Sequence, residues 1–470
     1  MRYSKMYEAL TKVLEKDEQI TFAMTDVTSR QIELWSLMFK DRAPWINEDT
    51  KSMGLPSAIS SELARLITLE MESKITGSSR ATFLDSHYQK QIRKLRQFTE
   101  LACAKGGIIF KPYVTENGLA TQIVQADSFF PITFDDSGNI TRICFVEQYR
   151  KANSIYTRVE YHKLEGTRLT IRNRAFKSDT DGILGSEISL ESTERWSDLA
   201  EEITIENVTK LPIGYFKVPL ANNKDADSPL GVSCFSRGTD LIHEADIRYS
   251  QISWEFESKE TAIHIGESLL KYDKNQDKLV YPGGKGRLYR AMEYSQGAVD
   301  KPLLEAFSPD IRDTSYFNGL NQQLRRIEFA CCLAYGTLSD PNNEAKTAEE
   351  IKTSKQRSYT FVSDCQKALQ DALEDYIDAM DLWCTIYDLV PQGSHRVSFI
   401  WDDSLVVDTE KERQTDRSDV AMGAMQLWEY RMKWFGETEE EAKKAVGMND
   451  QTALIDDSDP PSGGGNRSAG

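Results

Sequence analysis

The sequence predicts an α+β chain organised around one long helix, and three observations predict it. Thr347 to Tyr387 runs for 41 residues without Gly or Pro, which as a single helix would span ~60 Å. Between about residues 108 and 219 the pattern changes to short alternating or β-branched runs separated by turns, the signature of an antiparallel meander. Segments with apolar spacings of three and four stand on both sides of that block, so helices bracket the sheet.

Taken in order, the chain opens with an amphipathic helix over Tyr3 to Leu14. An aromatic passage follows, with Trp35, Phe39 and Trp45 beside Pro44; it reads either as an exposed arm that packs on a neighbour or as ordinary core. Pro56 to Ile75 and Thr82 to Lys105 carry helical periodicity, the second stopped by Gly106-Gly107. Ile108 to Val114, Ile140 to Glu147, Tyr156 to Lys163, Arg168 to Arg174 and Ile213 to Val218 read as strands. Turns fall at Asp136-Ser137-Gly138-Asn139 and Glu165-Gly166. Leu220 to Gly231 is a loop.

Helix returns over Thr239 to Glu260 and Asp310 to Tyr335, bracketing a compact β insertion at Ala262 to Ala306. Such a pair makes an antiparallel hairpin with a knob at its tip. A ten-residue loop, Thr337 to Lys346, leads into the long helix. Thr347-Ala348-Glu349-Glu350 opens that helix as a capping box. Its stripe runs through Ile351, Ser354, Ser358, Phe361, Cys365, Ala368, Ala372, Tyr376, Met380, Trp383 and Tyr387, widened in the second half by Leu369, Leu373 and Ile377. The weakly apolar start, Ile351-Ser354-Ser358, reads as a part that meets water. A helix this long spans a large domain, forms a coiled coil or packs against copies of itself about an axis. Val397 to Trp401 reads as a strand returning to the first sheet. Capping boxes at Thr409-Glu410-Lys411-Glu412 and Thr438-Glu439-Glu440-Glu441 open short final helices, and the tail from Asp456 is expected to be disordered.

Composition narrows the function. The 470 residues are 40% hydrophobic and 28% charged, with a net charge of −17, which describes a globular chain and argues against a nucleic-acid clamp, whose affinity comes from Lys and Arg on phosphates. No apolar run approaches the ~20 residues of a membrane span and Met1-Arg2-Tyr3-Ser4 leads into no signal core, so cytoplasmic assembly is expected. Seven scattered cysteines (103, 144, 234, 331, 332, 365, 384) read as reduced core thiols rather than a disulfide framework.

No reaction motif emerges. Gly283-Gly284-Lys285-Gly286 lacks the spacing and hydroxyl of a P-loop and reads as a β-turn. His243-Glu244 lacks the second histidine of a zinc-protease helix, and the five histidines are dispersed. Cys331-Cys332 sits on an expected apolar helix face. Asp402-Asp403 reads as a solvated turn in preference to a cation site. No cofactor is expected. The long helix is more informative: Lys346, Lys352, Lys355 and Arg357 crowd its start, while Asp364, Asp371, Glu374, Asp375, Asp378 and Asp381 follow. The helix dipole favours the reverse. The layout reads as a solvated charged face or, in a ring of such helices, as a basic collar above acidic walls.

Ser228-Pro229-Leu230-Gly231-Val232-Ser233 and Phe307-Ser308-Pro309-Asp310-Ile311-Arg312 stand one ahead of each hairpin helix. The turn Gly336-Thr337-Leu338-Ser339, Phe399-Ile400-Trp401-Asp402-Asp403-Ser404 and Gly436-Glu437-Thr438-Glu439-Glu440-Glu441-Ala442 follow in order. These local patterns and the order of elements resemble the portal proteins of tailed double-stranded DNA bacteriophages of the long-tailed, siphovirus type. The resemblance covers about residues 30 to 447 and implies a phage portal fold. It places a wing at 1–234 with 388–408 returning to it, stem helices at 235–261 and 308–336, and a clip at 262–307. A tunnel loop falls at 337–346, a tunnel helix at 347–387, a crown at 409–448 and a disordered tail at 449–470.

The resemblance further implies a non-enzymatic closed ring of roughly twelve subunits at one capsid vertex of the virion, assembled in the host cytoplasm. Its implied partners are other copies of the chain, passing double-stranded DNA, the terminase large subunit, major capsid and scaffolding proteins, and a head-completion or adaptor protein, with no membrane. Asn342, Asn343, Lys346, Lys352 and Lys355 would line the channel. Lys271, Lys285, Arg287 and Arg290 would form the docking surface of the clip. The alternative from another class is an oligomeric helical scaffold or adaptor that translocates no DNA.

Overall fold

The computed structural model describes residues 3–18, 25–180, 183–226, 228–259, 262–266, 270–273, 278–280, 289–292, 304–307, 310, 312–340, 348–401, 409–435 and 437–448. These fall into two units, Met1–Trp401 and Asp402–Gly470.

The first unit opens with α1 (Tyr3–Glu18), α2 (Asp26–Phe39) and α3 (Leu55–Ile67). The aromatic passage belongs to the core: Trp35 and Met38 on α2 are each 1% exposed. α2 is a helix that the aromatic pattern had obscured; Thr25 caps it, its hydroxyl oxygen accepting the Thr28 N–H. Helical periodicity past α3 does not persist. Glu72–Gly77 is instead strand β1, followed by α4 (Ser79–Ile92) and α5 (Leu95–Lys105). The expected single helix from Thr82 breaks at Arg93-Lys94 so that α4 packs on β1 while α5 packs on α3. Gly106 ends α5 at φ +95°, a conformation open to glycine.

Two larger sheets follow. β2 (Gly107–Thr115), β3 (Gly118–Gln125) and β10 (Gly214–Lys217) form one in the order β10-β2-β3. The other holds the expected meander without the strand at Ile213 to Val218, which as β10 has paired with β2 instead: β4 (Phe129–Phe134), β5 (Ile140–Lys151), β6 (Ser154–Glu165), β7 (Arg168–Ser178) and β8 (Ser186–Ile188), with β9 (Glu202–Ile205) on β7. α1 closes one face of the meander, where Tyr3 stacks on Phe130 at 4.4 Å and its hydroxyl donates to Phe129 O at 2.8 Å.

α6 (Thr239–Ser258) and α7 (Asp313–Ala330) form the expected hairpin. It is antiparallel: Gln323 Nε2 donates to Leu241 O at 3.1 Å, and Arg312 meets Glu255 at 2.9 Å further out. Between them β11 (Ala262–Gly266), β14 (Tyr289–Met292) and β15 (Leu304–Phe307) make a small sheet, and β12 (Lys271–Asp273) pairs β13 (Lys278–Val280). α7 stops earlier than the sequence predicts. Cys331 caps it and Cys332 turns the chain at φ +58°, so the two cysteines mark a helix end and not a helix face.

α8 (Ala348–Ile386) is a single helix of 39 residues, ~58 Å long. It lies on β10 and β2 and touches α3 and α4. Leu369, Leu373, Tyr376, Met380 and Cys384 are fully buried, so the apolar stripe is covered by its own chain. The close approach requires Gly214, where a Cβ would stand 2.2 Å from Ala372 O. Strand β16 (His395–Ile400) does not join the meander; it pairs with β1 from Glu72↔Ile400 to Gly77↔His395.

The second unit holds α9 (Thr409–Met422), α10 (Leu427–Phe435) and α11 (Glu439–Met448). Tyr430 is its buried centre, accepting from Arg413 Nε and Arg417 Nε at 3.1 Å each. The capping box before α11 forms as the sequence predicts. Thr438 Oγ1 donates to Glu441 Oε2 at 2.8 Å and accepts the Glu441 N–H at 3.4 Å. Thr347, Gly283-Gly284-Lys285-Gly286, Asp402-Asp403 and the tail 449–470 lie outside the described residues.

Candidate functional site

The residues that the sequence nominates for the channel fall at the start of α8 and just before it. Lys352 and Lys355 both belong to α8. Asn342, Asn343 and Lys346 lie outside the described residues. On the insertion, Lys271 belongs to β12 and Arg290 to β14, two different sheets, while Lys285 and Arg287 are outside the described residues.

The junction that delivers the chain to this region is built from side chains that belong to no sequence motif. Glu328, fully buried on α7, accepts the backbone N–H groups of Gly336, Leu338 and Ser339 at 3.1, 2.6 and 2.8 Å. Its other oxygen accepts the Ser339 hydroxyl at 2.9 Å. Seven residues earlier on the same face, Asn321 Oδ1 accepts the Asp340 N–H at 2.8 Å, and Asn321 Nδ2 donates to Asp340 O at 3.4 Å. α7 thus grips the turn 336–340 from end to end. The legible signal was a carboxylate and an amide seven apart on the stripe that also buries Leu320 and Ile327.

Arg357 closes the junction from the α8 side. Its guanidinium lies over Phe329 at 4.5 Å and Tyr335 at 5.4 Å and donates to Leu333 O at 3.3 Å. This arginine therefore works within the chain as a cation–π clamp. Ser358 is 6% exposed, which corrects the expectation that it meets water: the buried stripe of α8 already begins there. Of the acidic series, Asp364, Asp371, Glu374 and Asp378 are exposed. Asp375 pairs with Lys210 at 2.9 Å and Asp381 with Arg80 at 2.7 Å.

A second buried polar group ties the two sheets together. Lys111 on β2 reaches Glu160 on β6 at 2.6 Å, Arg158 approaches the same oxygen at 3.2 Å, and His162 Nε2 lies 2.7 Å from Glu160 Oε1. Burial alone would raise the Glu160 pKa, but the Lys111 charge, His162 and Arg158 outweigh it and hold the carboxyl well below its ordinary 4.5. Burial draws His162 below its ordinary 6.5 against the pull of Glu160. The signs agree. As pH falls through about 6.5 the unfolded chain protonates His162 before the folded one does, and from about 4.5 downward it protonates Glu160 first. Stability is therefore expected to fall in two steps on acidification, and His162→Gln should flatten the upper step, as read by calorimetric midpoints between pH 7 and 4. An unaltered upper step would remove His162 from the account.

None of the seven cysteines is in a disulfide. Burial pushes the Cys331 and Cys365 thiols well above their ordinary range, and a hydrogen bond with Cys234 followed by burial does so for Cys103; such thiols are poor nucleophiles. Among the described residues no group of three or more His, Cys, Asp or Glu is placed to hold a metal ion. No helix among them is long and apolar enough to cross a membrane.

A long helix is thus seated on a sheet, and a helical hairpin carries a β insertion and grips the turn 336–340 that follows it. Residues 79–451 match the family described as "Phage portal protein, SPP1 Gp6-like", and the chain belongs to that family. Its function is the structural one of a phage portal protein. No curated protein matches the chain. A solved structure described as "Neck of native GTA particle computed with C12 symmetry" is similar at a TM-score of 0.42 and 11% identity, over 84% of this chain and 91% of that one.

Proposed function

We propose that copies of this chain close into a ring at one capsid vertex of the virion and form the channel through which double-stranded DNA enters and later leaves. The observation that carries the reading is the family match over residues 79–451. In this assignment α6 and α7 are the stem, the insertion between them the clip, 337–346 the tunnel loop, α8 the tunnel helix, the sheets before α6 together with β16 the wing, and α9 to α11 the crown. Asn342, Asn343, Lys346, Lys352 and Lys355 face DNA weakly and without sequence preference. The net charge of −17 suits a conduit, because each additional phosphate contact adds a barrier to sliding. Terminase drives the DNA. Terminase and head-completion proteins dock on the clip through Lys271, Lys285, Arg287 and Arg290, and capsid and scaffolding proteins surround the wing.

Negative-stain images of the purified chain are expected to show rings with an axial hole; rods, or a monomer at all concentrations, would count against the assignment. Replacing Lys346, Lys352 and Lys355 together by Ala is expected to leave ring assembly intact while lowering the amount of DNA packaged and retained, measured as nuclease-protected DNA per particle. Unchanged packaging would take these lysines out of the mechanism.

A further inference from the structure

The outer part of the α6–α7 hairpin exposes large apolar side chains on two opposite faces. Trp254 is 63% exposed and Ile247 36%; seven residues apart, they share one face of α6. Tyr249, Phe256 and Phe317 are 39%, 45% and 51% exposed. Two residues apart on a helix is a rotation of about 200°, so Tyr249 points away from Ile247, and Phe256 away from Trp254. Tyr249 and Phe256 continue the side of α6 that is buried nearer the body as Ile242 and Ala245. Phe317 continues the side of α7 that is buried there as Leu320 and Ile327.

The two patches stand at the same height. The pairings Leu241–Gln323 and Glu255–Arg312 set the register of the hairpin and bring Phe317 level with about residue 249. Ile247 and Tyr249, like Trp254 and Phe256, differ by only ~3 Å along the axis. We propose that Ile247 and Trp254 of one copy pack against Tyr249, Phe256 and Phe317 of the next, as the two unlike halves of a head-to-tail contact. This rests on the ring reading above.

A second copy is the occupant because the chain carries both halves. A rotation without translation brings one face onto the other at constant height, and repeating it around a closed ring leaves neither patch in water. A two-fold contact would instead pair each patch with itself and leave the other uncovered.

The test is cross-linking of the full chain. Ile247→Cys together with Tyr249→Cys is expected to give, on mild oxidation with copper–phenanthroline, a ladder of disulfide-linked multimers on a non-reducing gel. The two thiols face opposite ways on one helix and reach each other only between copies. The single variants and the unmodified chain are expected to give no ladder. A dimer from Ile247→Cys alone would mean a two-fold contact and would overturn the proposal. Trp254→Glu, at an exposed position, is expected to keep the circular-dichroism spectrum and melting profile while shifting the mass in light scattering from ring to monomer. Rings in the unmodified chain with no ladder from the double variant, or rings that persist in Trp254→Glu, would leave the ring reading standing and this contact refuted. A monomeric unmodified chain at all concentrations would sink both.

Discussion

Glu328→Ala is expected to destabilise the chain by about 3–5 kcal/mol, because it leaves three backbone N–H groups and a hydroxyl without their acceptor, each such loss costing roughly 1–3 kcal/mol where water cannot replace it. The cost is local before it is global. The amides of Gly336, Leu338 and Ser339 all depend on one carboxylate oxygen, so hydrogen exchange at these positions should accelerate well before the rest of α7 opens. Glu328→Gln keeps a carbonyl oxygen for the three N–H groups and can donate its amide to the Ser339 hydroxyl. It is expected to recover most of the loss. Urea denaturation gives the magnitude and exchange gives the location; an alanine variant with normal protection at 336–339 would show that the turn holds itself. In the portal assignment this clamp fixes the root of the tunnel loop. The same alanine variant is therefore expected to assemble less uniformly than Glu328→Gln.

Arg80→Met is expected to cost about 3 kcal/mol. Arg80, 1% exposed at the start of α4, donates to the Asp381 carboxylate at 2.7 Å, to Asp381 O at 2.8 Å, to the Thr385 hydroxyl and to Val390 O. It thus satisfies oxygens at and beyond the last turn of α8, where a cation also meets the negative end of the helix. Methionine fills much of the volume and supplies no donor. Arg80→Lys keeps the charge, but an ammonium cannot span partners arranged for a planar fork, so it should recover less than half of the loss. Unfolding midpoints of the three proteins check this; a Met variant within 0.5 kcal/mol of the parent would show that water takes over the role of Arg80.

Much of the fold is legible in local pattern. The meander follows from two-residue alternation and from turns at 136–139 and 165–166. α8 follows from an unbroken spacing of three and four, and the start of α11 from a Thr and a Glu three apart. These signals are short-range: a turn, a cap or a stripe is specified by residues within a few positions of one another. Failures occur where the deciding partner is distant. Glu72–Gly77 reads as the end of a helix because the strand that pairs with it begins at His395. Thr82 to Lys105 reads as one helix because nothing local demands the break at Arg93. α7 ends early because Glu328 bonds to the turn that follows it.

The candidate site divides in the same way. The run of basic then acidic residues along 346–381 is visible in the chain, and so is the family to which it points. That Arg357 lies against Phe329 and Tyr335, that Ser358 is buried, and that Asp375 and Asp381 are tied to Lys210 and Arg80 are consequences of packing.

By itself the sequence determined the class of fold, the long helix, the hairpin with its insertion and the membership of a portal family, since each rests on periodicity or on ordered local motifs. Only the tertiary structure decided which faces of those helices are left over. Which side of α6 is covered depends on α7 and on the segment between α2 and α3, from which Trp45 and Met53 reach Asp246, and a stripe of Ile, Trp, Tyr and Phe looks the same in one dimension whether its own chain covers it or leaves it for a neighbour.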